Sequence, residues 1–383
     1  MSQPVSIQAT SDREDHQLLL RTVAEFTRDV LEPEFRHPEK AMPDDTFSAL
    51  FQKLAGELGL LPEAEPTGLE LWADLDTADG MQLSLSILQT IAECNAALAM
   101  ALHVTALGGV AARQLGHHAE SVVLLPPGSA GFAGTALARL LVSRPLSESE
   151  RQRLRAAFPW AGPCERPLLF HAPVGWESVV FAGLRDDDRL HWRILPRESV
   201  EAPRVPNAHG LDELPLWRID HLPEARDDDA APATESETLF FQIFAAAALG
   251  NVAIALGATR RAAAIVFEYA AGRTQGGRAI REHAAVQLLL GRVTAAIESV
   301  AAMLAAATPA KRIRGLQASL ACKAIAHPLL CDAANAAMQV MGGYGYMQDM
   351  GVEKVVRDNN HLRLLGGTPR DIHLFLAEIG GTA

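Results

Sequence analysis

The chain has 383 residues, a formal net charge of −12, 49% hydrophobic residues and only 5% aromatic ones. The length suits two or three domains, and burial carried by Ala and Leu favours helices, where small and unbranched side chains lose little rotamer freedom. An acidic balance with dispersed basic residues excludes a nucleic-acid partner.

Residues 12–118 read as helices. Leu18, Leu19, Val23, Phe26 and Val30 recur at helical spacing, and Pro33 ends or kinks that run. Phe47, Leu50, Phe51, Leu54 and Leu58 form a second amphipathic set, with Gly59 as its C-cap. The stretch EAEPTGLELWADLDTADG reads as a turn-rich connection. Met81 to Leu115 reads as two Ala/Leu-rich helices meeting near His103 to Gly109, with Gly116 as the stop. From about residue 119 Pro, Trp and β-branched residues rise. Leu168–His171, Ser178–Phe181, Leu190–Leu195 and Leu216–Ile219 read as strands, and SESERQRLRAAFP as a helix among them. DDDAAPATE is a polar linker. Helices then return over Leu239–Gly272 and Ala284–Ala307, over Ala310–Cys322 leading into Pro328–Met341, and from Pro369 to the end. The expected order is a mostly α chain with an N-terminal α-helical domain (1–118), a middle β-domain (119–228) and a C-terminal four-helix bundle (229–383).

Leu239 to Ala258 is apolar and about long enough to span a bilayer. Gln242, Asn251 and two glycines interrupt it, so a buried bundle helix is the expectation and no membrane span is assigned. Cys94, Cys164, Cys322 and Cys331 lack CxxC spacing, which leaves neither a zinc site nor a redox motif. They suit a reducing compartment, and the polar N-terminus shows no signal-peptide pattern, so a cytoplasmic location is expected. HExxH, P-loop and GxSxG patterns are absent. His103 in its apolar run reads as a core histidine, and His117–His118 as a loop pair.

The end of the chain is more specific. QVMGGYGYMQDMGVEKVVRDNNHLRLLGGTPRDIHLFLAEI places a glycine turn after an apolar helix, then a charged helix, then a second glycine turn. Upstream, YAAGRTQGGRAIREHAAVQ carries Arg273, Gly277, Arg278, Ile280 and His283. Together these blocks resemble the acyl-CoA dehydrogenase family. Matching positions in the later block are Gln339, Gly342, Gly343, Gly345, Val352, Glu353, Arg357, Asp358, Gly367 and Thr368. The resemblance implies FAD, bound wholly or shared across subunits, and a dimer or tetramer with an acyl-CoA dehydrogenase-like subunit, of the same or another kind. It also implies acyl-CoA as ligand and an electron-transfer flavoprotein as partner. Arg273, Gln339, Gly342, Gly343 and Thr368 take the cofactor positions.

The departures matter as much. The family's usual glutamate position holds Gly366, and the alternative position on the long helix holds Ala247. Removing an α-proton needs a base, commonly a carboxylate tuned by burial, and neither residue supplies one. Gly276 and Ala284 replace a phenylalanine and a glutamine, and only a shortened counterpart of the ring-holding middle segments remains, over Leu168–Gly183. No catalytic residue is assigned. A subunit without its own base is the expected function; a flavin oxidase or monooxygenase of the same fold, or a non-enzymatic flavoprotein scaffold, is the alternative. From the residues alone, Arg273 is equally a surface arginine, Gly342–Gly343 a plain C-cap and Thr368 a helix cap. Glu353 and Arg357 are an i, i+4 ion pair, and Arg357–Asp358 is expected to pin the same last turn.

Overall fold

The computed structural model describes residues 7–62, 69–117, 121–206, 208–225 and 233–380. Helix α1 (Ile7–Phe26) runs into a single π turn, Thr27–Leu31. The extra residue of a π turn shifts the inward face by one, so Leu31 is buried and Val30 only partly so. Helix α2 (Asp44–Leu58) buries Phe47, Leu50, Phe51 and Leu54 and ends as expected at Gly59, φ +59°. The first part of the connection that follows, residues 63–68, lies outside the described residues, and Leu71, Trp72 and Leu75 after it are buried. Its last residues, Ala78–Gly80, instead form the first turn of helix α3 (Ala78–Cys94), capped by Thr77.

The break between α3 and helix α4 (Ala96–Gln114) falls at Asn95 and not near His103–Gly109. The Asn95 side-chain oxygen accepts the Leu98 N–H at 2.8 Å, an N-cap that satisfies a free helix donor. Gly108 sits mid-helix because a Cβ there would overlap the Val122–Val123 backbone. Its glycine marks a close approach, which the sequence presents in the same way as a helix stop.

The middle region carries two small sheets. Strand β1 (Val122–Leu124) pairs in parallel with β3 (Ser178–Leu184), which pairs antiparallel with β4 (Leu190–Pro196). Strand β2 (Gly162–His171) pairs antiparallel with β5 (Leu216–Leu222). Two helices precede β2: α5 (Gly134–Leu141) and α6 (Glu148–Ala157), the latter opened by a Ser147/Glu150 capping box. Alternate strand residues face opposite ways. Val123, Val179 and Phe181 join Phe170, Trp176 and Trp217 in a core of the middle region, while Val122, Leu124 and Val180 face the helices. Strand β1 and helix α5 were not read from the sequence; three residues carry too little alternation to signal a strand.

Helix α7 (Ala233–Gly272) has 40 residues, about 60 Å at 1.5 Å per residue. It packs on α3, α4, helix α8 (Ala284–Ala305), helix α9 (Ile313–Met341) and helix α10 (Val352–Leu362). Neighbours on every side explain its all-round apolarity: its most apolar stretch is wholly buried, as expected for a bundle helix. By length and composition α4 and α8 could also cross a membrane, and α8 is buried over only 28% of its most apolar stretch. A short hairpin, β6 (Thr274–Gln275) and β7 (Arg278–Ala279), follows α7. Helix α9 runs unbroken through Pro328, with His327, Leu330 and Cys331 buried around it. Burial there outweighs the backbone hydrogen bond that proline forfeits. Helix α11 (Pro369–Gly380) closes the chain.

Candidate functional site

Gly366 and Gly367 form the turn between α10 and α11, at φ +67° and +97°. Two consecutive residues in this region strongly favour glycine. A Cβ on Gly366 would meet only the Pro127 carbonyl at 3.7 Å, whereas one on Gly367 would press on the Phe132 ring at 2.7 Å. Phe132 stands edge-on to Phe244, with ring centroids 5.6 Å apart, and to Phe375 at 5.9 Å. Phe244 continues the contact to Phe240 at 5.4 Å, and Phe240 to Phe158 at 6.2 Å. All five rings are buried.

Ala247 lies one turn beyond Phe244 on α7 and is buried. Its carbonyl is 3.4 Å from His103 Nε2, and Trp72 Nε1 donates to His103 Nδ1 at 3.0 Å. The indole can only donate, so Nδ1 accepts and the proton sits on Nε2. Burial pushes the His103 pKa down to about 4. His103 is thus the core histidine the sequence suggested, and its ring occupies the space that a Cβ on Gly250 would take. Both base positions border packed side chains.

The other candidates divide into two places. At one end of the bundle the Tyr269 and Tyr344 rings lie 6.3 Å apart, which joins the end of α7 to the glycine turn after α9. Arg273 and Gln339 are exposed at this end. Gly342 ends α9 at φ +58°, and a Cβ on Gly343 would meet nothing within 4 Å. Packing therefore does not require the second glycine, and space is free beside it. Thr368 lies at the other end of α10, whose 11 residues span about 16 Å. Its hydroxyl donates to Asp371 Oδ2 at 2.6 Å and accepts from Asp371 N at 3.2 Å. The capping alternative is the one the structure shows, and Thr368 does not join Arg273, Gln339, Gly342 and Gly343. His283 Nε2 lies 3.0 Å from the Gln275 carbonyl and braces the hairpin.

A further set of contacts runs along α10. Arg357 Nε donates to Glu353 at 2.8 Å, as the spacing suggested, and Nη1 donates to Asp212 at 2.7 Å. Asp358 does not share that task. It takes Lys354 Nζ at 3.0 Å and the Leu211 N–H at 2.7 Å, while Lys354 also meets Glu213 at 3.1 Å. Burial opposes the charge on Lys354, but Asp358 and Glu213 outweigh it and hold its pKa above the usual lysine value. Farther along, His361 Nε2 is 2.7 Å from His171 Nε2 at the end of β2, and His171 Nδ1 is 3.2 Å from the Leu214 carbonyl. Nδ1 must donate to that carbonyl, so His361 supplies the proton between the rings. Burial, with His361 beside it, pushes the His171 pKa down to about 3. No sequence signal marked the contacts that reach residues 171 and 211–213, which join positions over 140 apart.

A family model, "Acyl-CoA dehydrogenase, C-terminal domain", matches residues 239–374, and curated relatives and solved folds agree with it. The chain carries the C-terminal domain of the acyl-CoA dehydrogenase family. It is 27% identical over 197 residues to 3-sulfinopropanoyl-CoA desulfinase of Paraburkholderia xenovorans, a match covering 48% of this chain and only 50% of that enzyme. It is 23% identical to benzylmalonyl-CoA dehydrogenase of Aromatoleum aromaticum, over 86% of this chain and 89% of the relative. Its fold is similar to glutaryl-CoA dehydrogenase of Mycobacterium smegmatis in complex with FADH2, with TM-score 0.66, 14% identity, and coverage of 97% and 95% of the two chains.

Within this chain, the end carrying Arg273, Gln339 and Gly343 has the chemistry for an anionic cofactor group. A guanidinium offers five fixed donors, and glycine lets backbone approach a phosphate. Beside the Gly366–Gly367 turn, Gly131, Phe132 and Ala133 help to line a cavity of about 360 Å³ with Glu165 and Arg166. Phe132 and Phe244 stand beside the two base positions.

Proposed function

We propose that this chain is a flavin-associated subunit of the acyl-CoA dehydrogenase family that does not itself remove the substrate α-proton. The observation that carries the reading is the pair of base positions, Gly366 and Ala247, set against the buried Phe132–Phe244 contact. FAD, when bound, accepts the hydride leaving the substrate Cβ. What this chain contributes is grip: Arg273 offers donors to the pyrophosphate, and Gly343 leaves room for it. The desulfinase among its relatives is named for a reaction other than α,β-dehydrogenation, which supports a role for the frame beyond that chemistry.

A second subunit, either another copy or a homologue carrying the base, completes the proposed site. The weakly buried α8, with Leu288 72% exposed, is the face we assign to subunit contact. The test measures the flavin-to-chain ratio and α-deuterium exchange of acyl-CoA, with and without a co-encoded homologue. Exchange and flavin reduction are expected only in the mixture. Either one catalysed by the chain alone overturns the proposal.

A further inference from the structure

A cavity of about 520 Å³ opens at the start of α10, where Lys354 meets Glu213 of the middle region. Two helix stripes wall it. Ala258, Arg261 and Ile265 recur at i, i+3 and i+7 on α7, and Gly351, Lys354, Val355 and Asp358 recur at i, i+3, i+4 and i+7 at the start of α10. That spacing puts each set on one face of its helix. The junction of α3 and α4 adds Cys94, Asn95 and Ala96, and the loop after the π turn adds Phe35, Pro38 and Met42. Arg273 lies about 18 Å farther along α7 than Arg261, and Gly366 lies past the far end of α10, so neither borders this space.

The inner wall is charged and unequal. Lys354 Nζ reaches Asp358 at 3.0 Å and Glu213 at 3.1 Å, so one ammonium answers two carboxylates. The three side chains are only 11%, 4% and 12% exposed, which leaves little water to screen the surplus. Asn95 Nδ2 donates to Glu213 at 3.1 Å, and the Leu211 N–H donates to Asp358 at 2.7 Å. These neutral donors stabilise the carboxylates without cancelling the extra negative charge. Among the described residues no second cation stands on the inner wall. Arg36, Lys40 and Arg261 are exposed at the mouth, where exposed Glu32, Glu34 and Asp349 match them one for one, and His37 faces Glu39 at 3.3 Å. The Cys94 thiol reports the same balance. Burial pushes its pKa up to about 12, and Glu32 and Glu213 add to the rise against Arg261 alone. Hydrocarbon from Ala96, Ala258, Ile265 and Val355 lines the rest.

We infer that this cavity binds an aliphatic primary amine, with its ammonium on the inner wall against Glu213 and its hydrocarbon chain between α7 and α10. An ammonium brings three donors and no acceptor, so it supplies the cation that the two carboxylates lack. A carboxylate-ended chain would meet like charge, and an alcohol of the same length would leave the surplus uncancelled. The volume falls in the range of small-molecule sites, about 300–1,000 Å³. The site stands apart from the flavin-binding end and does not depend on the proposed function.

Isothermal titration and saturation-transfer NMR with hexylamine, hexanol and hexanoate on the full-length protein test this. Hexylamine is expected to bind with a dissociation constant of roughly 0.1–1 mM, hexanol at least about tenfold more weakly, and hexanoate not measurably. E213Q keeps the side-chain shape and leaves Lys354 balanced by Asp358 alone. It should lower hexylamine affinity at least about tenfold and leave hexanol affinity unchanged. I265W, which fills the cavity from its α7 wall, should abolish binding of both. No hexylamine binding, equal affinity for hexylamine and hexanol, or measurable hexanoate binding would each overturn the inference. So would full hexylamine affinity in either folded variant. Circular dichroism checks the fold of E213Q and I265W; if either unfolds, the three-ligand comparison on the unmodified protein still decides.

Discussion

Replacing Gly366 by Glu restores in sequence the carboxylate that the family usually carries before its Gly-Thr pair. The structure sets the consequences. Gly366 sits at φ +67°, where an L-residue costs about 1–2 kcal/mol. The first side-chain atom has room, since its nearest neighbour is the Pro127 carbonyl at 3.7 Å. The strain is therefore not compounded by a backbone clash, and a loss of about 1–2 kcal/mol is expected in urea unfolding. Activity should not follow. Gly367 keeps its own turn at φ +97°, Phe132 covers it, and Phe244 separates the turn from Ala247. The assay is α-deuterium exchange of acyl-CoA by mass spectrometry, beside the urea curve. Exchange above the no-protein background, with stability unchanged, would refute both the turn argument and the packed-site argument.

Phe132→Ala removes a buried ring that touches Phe244 and Phe375, and should cost about 3–5 kcal/mol in urea unfolding; a loss below about 1 kcal/mol would mean the site collapses around it. Lys354→Met leaves Asp358 and Glu213 buried without their cation and should cost about 3–5 kcal/mol, with Asp358→Asn in the same background recovering part of it. Arg273→Ala should leave stability within about 0.5 kcal/mol, because the side chain is exposed, while weakening FAD binding in titration calorimetry. His103 and His171 have folded pKa values pushed down to about 4 and 3. Below about pH 6.5 the unfolded chain takes up protons that these folded histidines refuse, so stability is present above that pH and falls as pH drops. Each contributes a slope of about 1.4 kcal/mol per pH unit down to its folded pKa. His171→Phe should flatten the curve measured by urea unfolding between pH 6.5 and 4.5; an unchanged slope would contradict the burial argument.

Much of the fold was legible because local chemistry carried it. Gly59 announced the end of α2, Pro369 the start of α11, and the period of Phe47 to Leu54 the buried face between helices. Where two physical causes share one letter, the reading went astray. Gly108–Gly109 looked like a helix break, but Gly108 serves a close backbone approach and Gly109 lies against the Pro62 ring, and Pro328 looked like a restart but lies within an unbroken α9. Asn95, which caps the real break, looked like one more polar residue in an apolar block.

The candidate site shows the same division. Sequence by itself determined the family signature and the absence of a carboxylate at positions 366 and 247, because residue identity is a property of the chain alone. It also placed Glu353 and Arg357 within reach of each other, because helix geometry fixes an i, i+4 spacing. Only the tertiary structure decided that Thr368 caps a helix, that Arg357 and Asp358 reach separately to residues 211–212, and that His171 meets His361. Those contacts join segments far apart along the chain. Their geometry follows from how α10 and α11 pack against the middle region, which neither residue type nor local periodicity encodes.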